Sequence, residues 1–204
     1  MKVLLINGSP HEKGCTYTAL HEVEMALQKN GVETEIYHIG IKPVRGCIAC
    51  GACQATGKCA FNDDPANEIL DLMKEADGVV IGSPVYYAGP NGALCALLDR
   101  AFFADGGSLA FKPSAAVVSA RRGGTTATFD RLNKYFSMNR MPIVTSQYWN
   151  SVHGFSPEDV MQDEEGLQTM RTLGYNMAWM LKSIENGNQP LPEIESWMPT
   201  HFIR

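Results

Sequence analysis

Long apolar runs are missing from this sequence, and charged residues are scarce. No stretch approaches the ~20 apolar residues that a helix needs to cross a bilayer. Only 19% of the residues are charged and the net charge is −5, so no basic surface for nucleic acid or an anionic membrane is expected. The apolar run at the N-terminus is too short for a signal peptide. We therefore expect a soluble, cytoplasmic protein without nucleic-acid or membrane partners.

Two common nucleotide-binding motifs are also absent. The sequence contains no Gly-x-Gly-x-x-Gly for a dinucleotide and no Gly-Lys-Ser/Thr for a nucleoside triphosphate. The 204 residues are enough for one domain with a fully buried sheet. We expect a single domain over 1–204, with a cysteine-rich insertion at 40–64 and an irregular tail at 187–204.

Strand-like apolar runs alternate with helical patterns along the chain. The predicted strands lie at 2–6, 32–39, 79–81, 115–119 and 141–146, and the predicted helices at about 19–30, 65–76, 91–103, 125–138 and 163–186. This alternation predicts an α/β fold with a doubly wound, five-stranded parallel sheet covered on both faces. Ligands of such sheets bind beyond the carboxyl ends of the strands, where the loops after the first, third and fourth strands should meet.

The first of these loops, residues 7–18, has the composition of an anion site. It is rich in small and hydroxyl residues and leads into a helix, whose free N-terminal amides favour negative charge. Ser9, Thr16 and Thr18 add hydroxyl donors, and Gly14 lets the backbone close around an oxyanion. The loop predicts a monophosphate site; the alternative is an ordinary turn with Cys15 or Thr16 near the helix cap.

The other two loops could face a flat ring. Residues 83–92 place Tyr86 and Tyr87 between proline and glycine, and residues 119–124 contain Arg121 and Arg122 followed by two glycines. Backbone amides, an aromatic edge and a guanidinium would suit ring carbonyl oxygens or a second anion. The alternatives are a tyrosine that fills the end of the sheet and an arginine that is simply solvated.

Together, the three loops resemble those of the NADPH-dependent FMN reductase family, which has the flavodoxin-like fold. The resemblance implies that the FMN phosphate binds in the first loop and the isoalloxazine ring against the other two. His11 stands where relatives often carry arginine. The implied FMN contacts are Ser9, His11, Gly14, Cys15, Thr16 and Thr18 for the phosphate loop, and Pro84, Val85, Tyr86, Tyr87, Ser119, Ala120, Arg121, Gly123 and Gly124 for the ring.

The resemblance also implies an activity: NAD(P)H passes hydride through FMN to a quinone, azo, nitro or flavin acceptor. The flavin carries the chemistry, so no side chain is predicted as a catalytic acid or base. The protein has to anchor the phosphate, stabilise negative charge near the pyrimidine edge of the ring and leave one ring face open. Flavoproteins of this fold commonly form dimers or tetramers, which implies a homodimer or homotetramer.

Four cysteines at short spacings form a separate motif. Cys47, Cys50 and Cys53 follow one another at two-residue gaps, and Cys59 comes shortly after. Thiolates at these spacings can hold the corners of one iron–sulfur cluster. Zinc fits less well because structural zinc sites usually pair two C-x-x-C units across a longer loop. A disulfide would need an oxidising compartment, and a fourth alternative is small or redox-active thiols without a cluster.

The cysteine motif resembles that of iron–sulfur flavoproteins, which have the same fold and carry a [4Fe–4S] cluster beside FMN. This resemblance keeps two further functions open. One is an electron carrier, whose FMN and [4Fe–4S] cluster on Cys47, Cys50, Cys53 and Cys59 exchange electrons with a ferredoxin-like partner. The other is a flavin or thiol redox sensor.

Overall fold

The strands and helices alternate as the sequence predicts. The computed structural model describes residues 1–187, 189–196 and 198–200. The described strands are β1 (Lys2–Asn7), β2 (Glu33–His38), β3 (Gly78–Tyr86), β4 (Gly89–Pro90), β5 (Ser114–Ala120) and β6 (Ser151–His153). The described helices are α1 (Cys15–Lys29), α2 (Cys53–Thr56), α3 (Ala66–Glu75), α4 (Gly92–Asp105), α5 (Thr125–Met138), α6 (Pro157–Val160) and α7 (Glu164–Asn186), with a short 3₁₀ turn at Gly106–Leu109.

Five of the strands form a parallel sheet in the order β2-β1-β3-β5-β6, and β4 pairs antiparallel with the end of β3. The predicted fold class is therefore confirmed. The chain first winds outward from β1 to β2 and then returns to place β3 on the other side of β1. This reversal creates a crevice at the carboxyl ends of β1 and β3, and the loop after β5 opens onto the same edge.

Alternate residues of β1 face two different cores, as expected for a strand buried on both sides. Leu4 and Ile6 point toward α3, α4 and α5, where they meet residues such as Ile69 and Leu97. Val3 and Leu5 point toward α1 and α7. The sheet is therefore anchored from both faces, which fixes the strand ends that carry the site.

The fifth parallel strand differs from its predicted position. Residues 141–146 make only one isolated bridge, between Ile143 and Ser114. The Ser114 amide donates to the Pro142 carbonyl and the Val144 amide donates to the Ser114 carbonyl, both at 2.8 Å, but the pairing does not continue beyond this bridge. The chain turns away, and the full pairing with β5 is made instead by Ser151–His153. The prediction of a strand at 141–146 was wrong for this reason.

The cysteine-rich segment and the tail have little regular structure. Within 40–64, only Cys53–Thr56 forms a helix. The described residues of the predicted irregular tail, 189–196 and 198–200, contain neither helix nor strand, and its residues 188, 197 and 201–204 lie outside the described part. None of the described helices combines the length and apolar character that a membrane span requires.

Candidate functional site

The loop after β1 is organised by Asn7, which is fully buried. Its side-chain oxygen accepts from the Ser9 amide at 3.1 Å, and its side-chain nitrogen donates to the Glu12 carbonyl at 3.0 Å. The Ser9 carbonyl lies 2.8 Å from Nε2 of His38 on β2. These contacts fix the loop before any ligand arrives.

Gly8 shows how closely this loop is packed. A Cβ added there would lie 2.4 Å from Cδ2 of Leu94 and 2.8 Å from the Gly82 carbonyl. The Gly8 amide itself donates to that carbonyl at 2.9 Å. The loop can therefore follow this path only with glycine at position 8.

The loop leads into an N-terminus of α1 that is open for an anion. Gly14 is the N-cap residue, and among the described side chains none caps this helix. The first-turn amides and the positive end of the helix dipole are left to act together. Ser9 lies beside them, and its Oγ accepts from the His11 amide at 3.1 Å, so its hydroxyl hydrogen remains to be donated.

The two threonines of this region have different surroundings. Thr16 is buried, and its Oγ1 lies 2.8 Å from Oγ of Ser119 on β5. This contact joins the loop after β1 to the end of β5. Thr18 instead donates to the Gly14 carbonyl at 3.3 Å within its own helix. Its role in holding phosphate stays a prediction.

The strand ends form one groove, which we call the strand-end groove. Its volume is about 880 Å³ including the part open to solvent, which is within the usual range for a cofactor site. Other surface grooves are as large, so its position at the strand ends identifies it, not its size. Ten predicted residues line it: Ser9, His11, Cys15, Thr16, Pro84, Val85, Tyr86, Ser119, Ala120 and Arg121.

Five predicted residues do not line this groove. Gly14 and Thr18 belong to the helix start described above, and Gly123 lies in the same turn as Gly124. Tyr87, at the tip of the β3–β4 hairpin, is fully exposed and has a φ of 50°. Gly124 has a φ of 96°, and a Cβ there would lie 2.9 Å from Cα of Ala88. The backbone of Gly124 thus packs directly against the hairpin at Ala88.

Two groove residues were missed by the sequence predictions: Gly154 and Phe155. They directly follow β6, and the Gly154 amide donates to the Ala120 carbonyl at 3.0 Å. Phe155 is 82% exposed. Had the fifth parallel strand been placed correctly, the rule that ligands bind at strand ends would have indicated both residues.

Cys15 lies in the groove as a neutral thiol. Burial raises its pKa, and the charges of Asp159 and Glu158 raise it further, against a smaller lowering by a backbone hydrogen bond. The thiol lies 3.9 Å from the Gly154 carbonyl. It therefore does not carry the negative charge that would repel a phosphate at the helix start.

The four clustered cysteines line a second pocket, which we call the cysteine pocket. Its volume is about 350 Å³ including the part open to solvent, and it shares no lining residue with the strand-end groove. Cys47 and Cys50 are exposed, whereas Cys53 and Cys59 are partly buried. The pocket is lined by Cys47, Ile48, Cys50, Gly51, Cys53, Cys59, Ala60, Phe61, Arg100 and Phe103.

Side chains from the helices hold the end of this segment. Asn67 of α3 accepts from the Cys59 amide at 2.8 Å and donates to its carbonyl at 2.9 Å. Arg100 of α4 donates through Nε to Sγ of Cys59 at 3.2 Å and forms an ion pair with Asp64. Burial acts to lower the pKa of Arg100, but its bonds to Asp64 and Cys59 outweigh this and raise it. The guanidinium is therefore charged.

The donor set of this pocket consists of four cysteine thiols. All six cysteines are free thiols. Within the described residues, no three His, Cys, Asp or Glu side chains converge where one metal ion could bind. A four-iron cluster is wider and takes one sulfur at each corner, with amides donating to the sulfurs. Such donors are present: Ala49 donates to Sγ of Cys47 at 3.4 Å, besides the Arg100 contact.

Comparison with known proteins agrees with this geometry. A sequence model of the family described as NADPH-dependent FMN reductase matches residues 1–156. An iron–sulfur flavoprotein of Methanocaldococcus jannaschii is 37% identical over 193 residues, which cover 91% of this chain and all of that protein. An iron–sulfur flavoprotein of Methanosarcina thermophila is 28% identical over 190 residues, covering 91% and 97%.

A solved structure supports the fold. A flavodoxin from the domain Archaea superimposes with a TM-score of 0.60 at 15% identity, covering 89% of this chain and 99% of that one. At this identity the likeness shows the fold alone, which is flavodoxin-like.

Proposed function

Because the chain belongs to the NADPH-dependent FMN reductase family and is an FMN-dependent oxidoreductase, we propose that it also holds a [4Fe–4S] cluster and carries electrons between a protein partner, the cluster and FMN. The observation that carries this proposal is that Cys47, Cys50, Cys53 and Cys59 line one pocket. The match to an iron–sulfur flavoprotein over that protein's whole length supports it.

The strand-end groove fits FMN. The open N-terminus of α1 and the hydroxyl of Ser9 would hold the phosphate, because both offer unpaired donors to an anion. Thr16 would act mainly through its bond to Ser119, which keeps the two loops together. Pro84, Val85 and Tyr86 would form one wall for the ring.

The chain would supply charge stabilisation and an aromatic rim for the ring rather than proton transfer. Arg121 lies at the end of β5 and lines the groove, so its guanidinium can face the negative charge that develops on a reduced ring. Tyr86 and Phe155 form aromatic edges at the mouth, and both are exposed, 46% and 82%. When bound, FMN exchanges one or two electrons and the cluster exchanges one.

The cysteine pocket fits the cluster. Its four sulfurs would each bind one iron, and Gly51 and Gly57, with φ of 73° and 66°, let the backbone turn between them. Ile48 and Phe103 cover the pocket with apolar surface. Because Cys47 and Cys50 are exposed, one side of a cluster bound there would be within reach of a partner such as ferredoxin.

A second function is favoured by the open mouth of the strand-end groove. A solvent-facing groove leaves one ring face for a hydride donor, so NAD(P)H could reduce the flavin directly and a quinone, azo, nitro or flavin acceptor could reoxidise it. In that case the four cysteines would be structural or would act as a redox sensor. Both alternatives keep FMN in the same groove.

The two functions differ in their electron donor. Oxygen-free protein would be mixed in a stopped-flow instrument with NADH, NADPH or reduced ferredoxin, and flavin bleaching followed by absorbance. The carrier predicts reduction by ferredoxin at least ten times faster than by either pyridine nucleotide. Rapid, repeated turnover with NAD(P)H and an acceptor would contradict the carrier function. Consumption of one equivalent of NAD(P)H without turnover would indicate a sensor.

A cytoplasmic location and a homodimeric or homotetrameric state belong to the same proposal. The six free thiols suit a reducing compartment. Light scattering coupled to gel filtration of the FMN-loaded protein would give the subunit number.

A further inference from the structure

Arg100 is a buried arginine that touches a cysteine sulfur. Its side chain is only 1% exposed, and arginine is almost never fully buried unless its charge is paired. Its Nε donates to Sγ of Cys59 at 3.2 Å. Binding a cluster needs four thiolates but does not itself need this arginine, so the contact calls for a separate explanation.

The rest of the guanidinium holds both ends of the cysteine segment. Nη1 donates to the Asp64 carboxylate and to the Arg45 carbonyl, the latter at 3.3 Å, and Nη2 donates to the Phe61 carbonyl at 3.1 Å. Arg45 precedes the first clustered cysteine, and Phe61 and Asp64 follow the last. The planar fork of arginine suits such a set of fixed partners, which lysine could not satisfy together.

A donor at this position would change the electronic properties of a cluster bound by Cys59. A hydrogen bond to a ligand sulfur draws electron density from it, and a buried positive charge favours the more negative, reduced state. The Asp64 carboxylate offsets part of the charge. It does not remove the hydrogen bond to sulfur, because Nε and Nη1 are separate donors.

We propose that Arg100 is a positioning residue that holds Cys59 for cluster binding and raises the reduction potential of the cluster. This inference rests on the proposed [4Fe–4S] cluster. It predicts that the effect of Arg100 comes from its contact with sulfur and from its buried charge, and not from positive charge near the pocket in general.

Two variants and a matched control test this. Arg100→Gln removes the charge. Arg100→Lys keeps the charge but lacks the planar guanidinium that donates to several fixed partners at once. Arg45→Gln removes a cation from the same segment whose side chain pairs with Asp63 at the surface. Iron, sulfide and flavin would be assayed first, and the cluster potential then measured by anaerobic titration monitored by EPR.

For Arg100→Gln, we expect the reduced-to-oxidised ratio at a fixed potential to fall about tenfold, a downward shift of about 59 mV for a one-electron couple. Arg100→Lys should shift the potential by less than half as much, and Arg45→Gln should leave it nearly unchanged. Loss of iron from the Arg100 variants, with FMN and fold retained and the control fully loaded, would support the positioning role. Unchanged potential and iron content would overturn the inference while leaving the cluster in place.

A measurement on the unaltered chain covers the case in which the variants do not fold. Protein grown with ¹⁵N-arginine would be reduced and studied by pulsed EPR. A ¹⁵N coupling from arginine to the cluster spin is expected because of the bond from Nε to the ligand sulfur, and its absence would overturn the inference. If the wild-type protein binds no cluster at all, the proposed function fails, and the inference fails with it.

Discussion

The strand-end groove is formed by the ends of sheet strands, whereas the cysteine pocket is formed by a segment with almost no regular structure. In the groove, the loops are fixed by their own residues: the buried Asn7 side chain, backbone hydrogen bonds and close packing at Gly8. In the pocket, side chains from α3 and α4 hold the segment, chiefly Asn67 and Arg100. A flavin can thus bind a preformed site, while the cysteine segment depends on a few remote anchors.

The largest expected effect is a loss of iron from the cysteine pocket that leaves FMN binding in the strand-end groove intact. Cys50→Ser removes one predicted cluster ligand, so iron should fall from about four per chain to below one. FMN affinity should change less than twofold, because the two sites share no lining residue. Iron assay and flavin titration check this. Cys95→Ser, on α4 and outside the pocket, is the control and should keep its iron; equal iron loss in both variants would contradict the assignment.

Removing the Asn67 anchor should weaken the cysteine segment. Asn67→Ala leaves the amide and carbonyl of Cys59 without their partners, and an unsatisfied buried group costs about 1–3 kcal/mol. Hydrogen exchange at residues 58–62 should speed up while the loop after β1 stays protected. Glu75→Ala, at the exposed end of the same helix and away from this segment, serves as control. Equal protection of residues 58–62 in Asn67→Ala and wild type would show that the segment does not depend on this anchor.

Removing one phosphate donor tests the groove. Ser9→Ala should weaken FMN binding by about ten- to a hundredfold, since a hydrogen bond to a charged group contributes roughly 1.5–3 kcal/mol. Riboflavin, which lacks the phosphate, should bind both proteins within twofold. Thr18→Ala should have a smaller effect, because Thr18 donates to the Gly14 carbonyl. A larger loss of FMN affinity in Thr18→Ala than in Ser9→Ala would reverse our assignment of the donors.

The smallest effect concerns the contact between the sheet and α3. Burial and the neighbouring Glu68 raise the pKa of Tyr37 to about 12, and its hydroxyl donates to Glu68 at 2.9 Å. The folded state therefore keeps this proton longer than the unfolded state. The contribution of Tyr37 to the free energy of unfolding is complete below pH ~10 and is lost as the pH rises toward about 12. It amounts to ~1 kcal/mol or less after screening by solvent.

Tyr37→Phe should accordingly flatten the decline in unfolding free energy between pH 10 and about 12. Urea unfolding at several pH values measures it. A decline as steep as in the wild type would assign the alkaline loss of stability to other groups.

The two regions also differ in how far the sequence could predict them. Hydrophobic periodicity located most of the strands whose ends line the groove, and the resemblance of their loops to the NADPH-dependent FMN reductase family named ten of its residues in advance. It failed at 141–146, where apolar residues next to Pro142 leave the sheet after one bridge. Gly154 and Phe155 were missed for the same reason.

For the cysteine pocket, the spacing of the four cysteines was enough to name them. Their anchors could not be predicted, because Arg100 lies on an apolar helix 41 residues beyond Cys59. Only the tertiary packing of α4 against the segment brings the two together. The conformation of the cysteine segment thus depends on side chains from α3 and α4, which lie outside the segment.

The most direct test of the account is the cofactor content of protein purified without oxygen. The proposal predicts one FMN, about four irons and about four sulfides per chain, together with an EPR signal of a reduced [4Fe–4S] cluster after treatment with dithionite. Protein that contains FMN but no iron or sulfide, even after anaerobic reconstitution, would contradict the cluster and leave the flavin oxidoreductase alone.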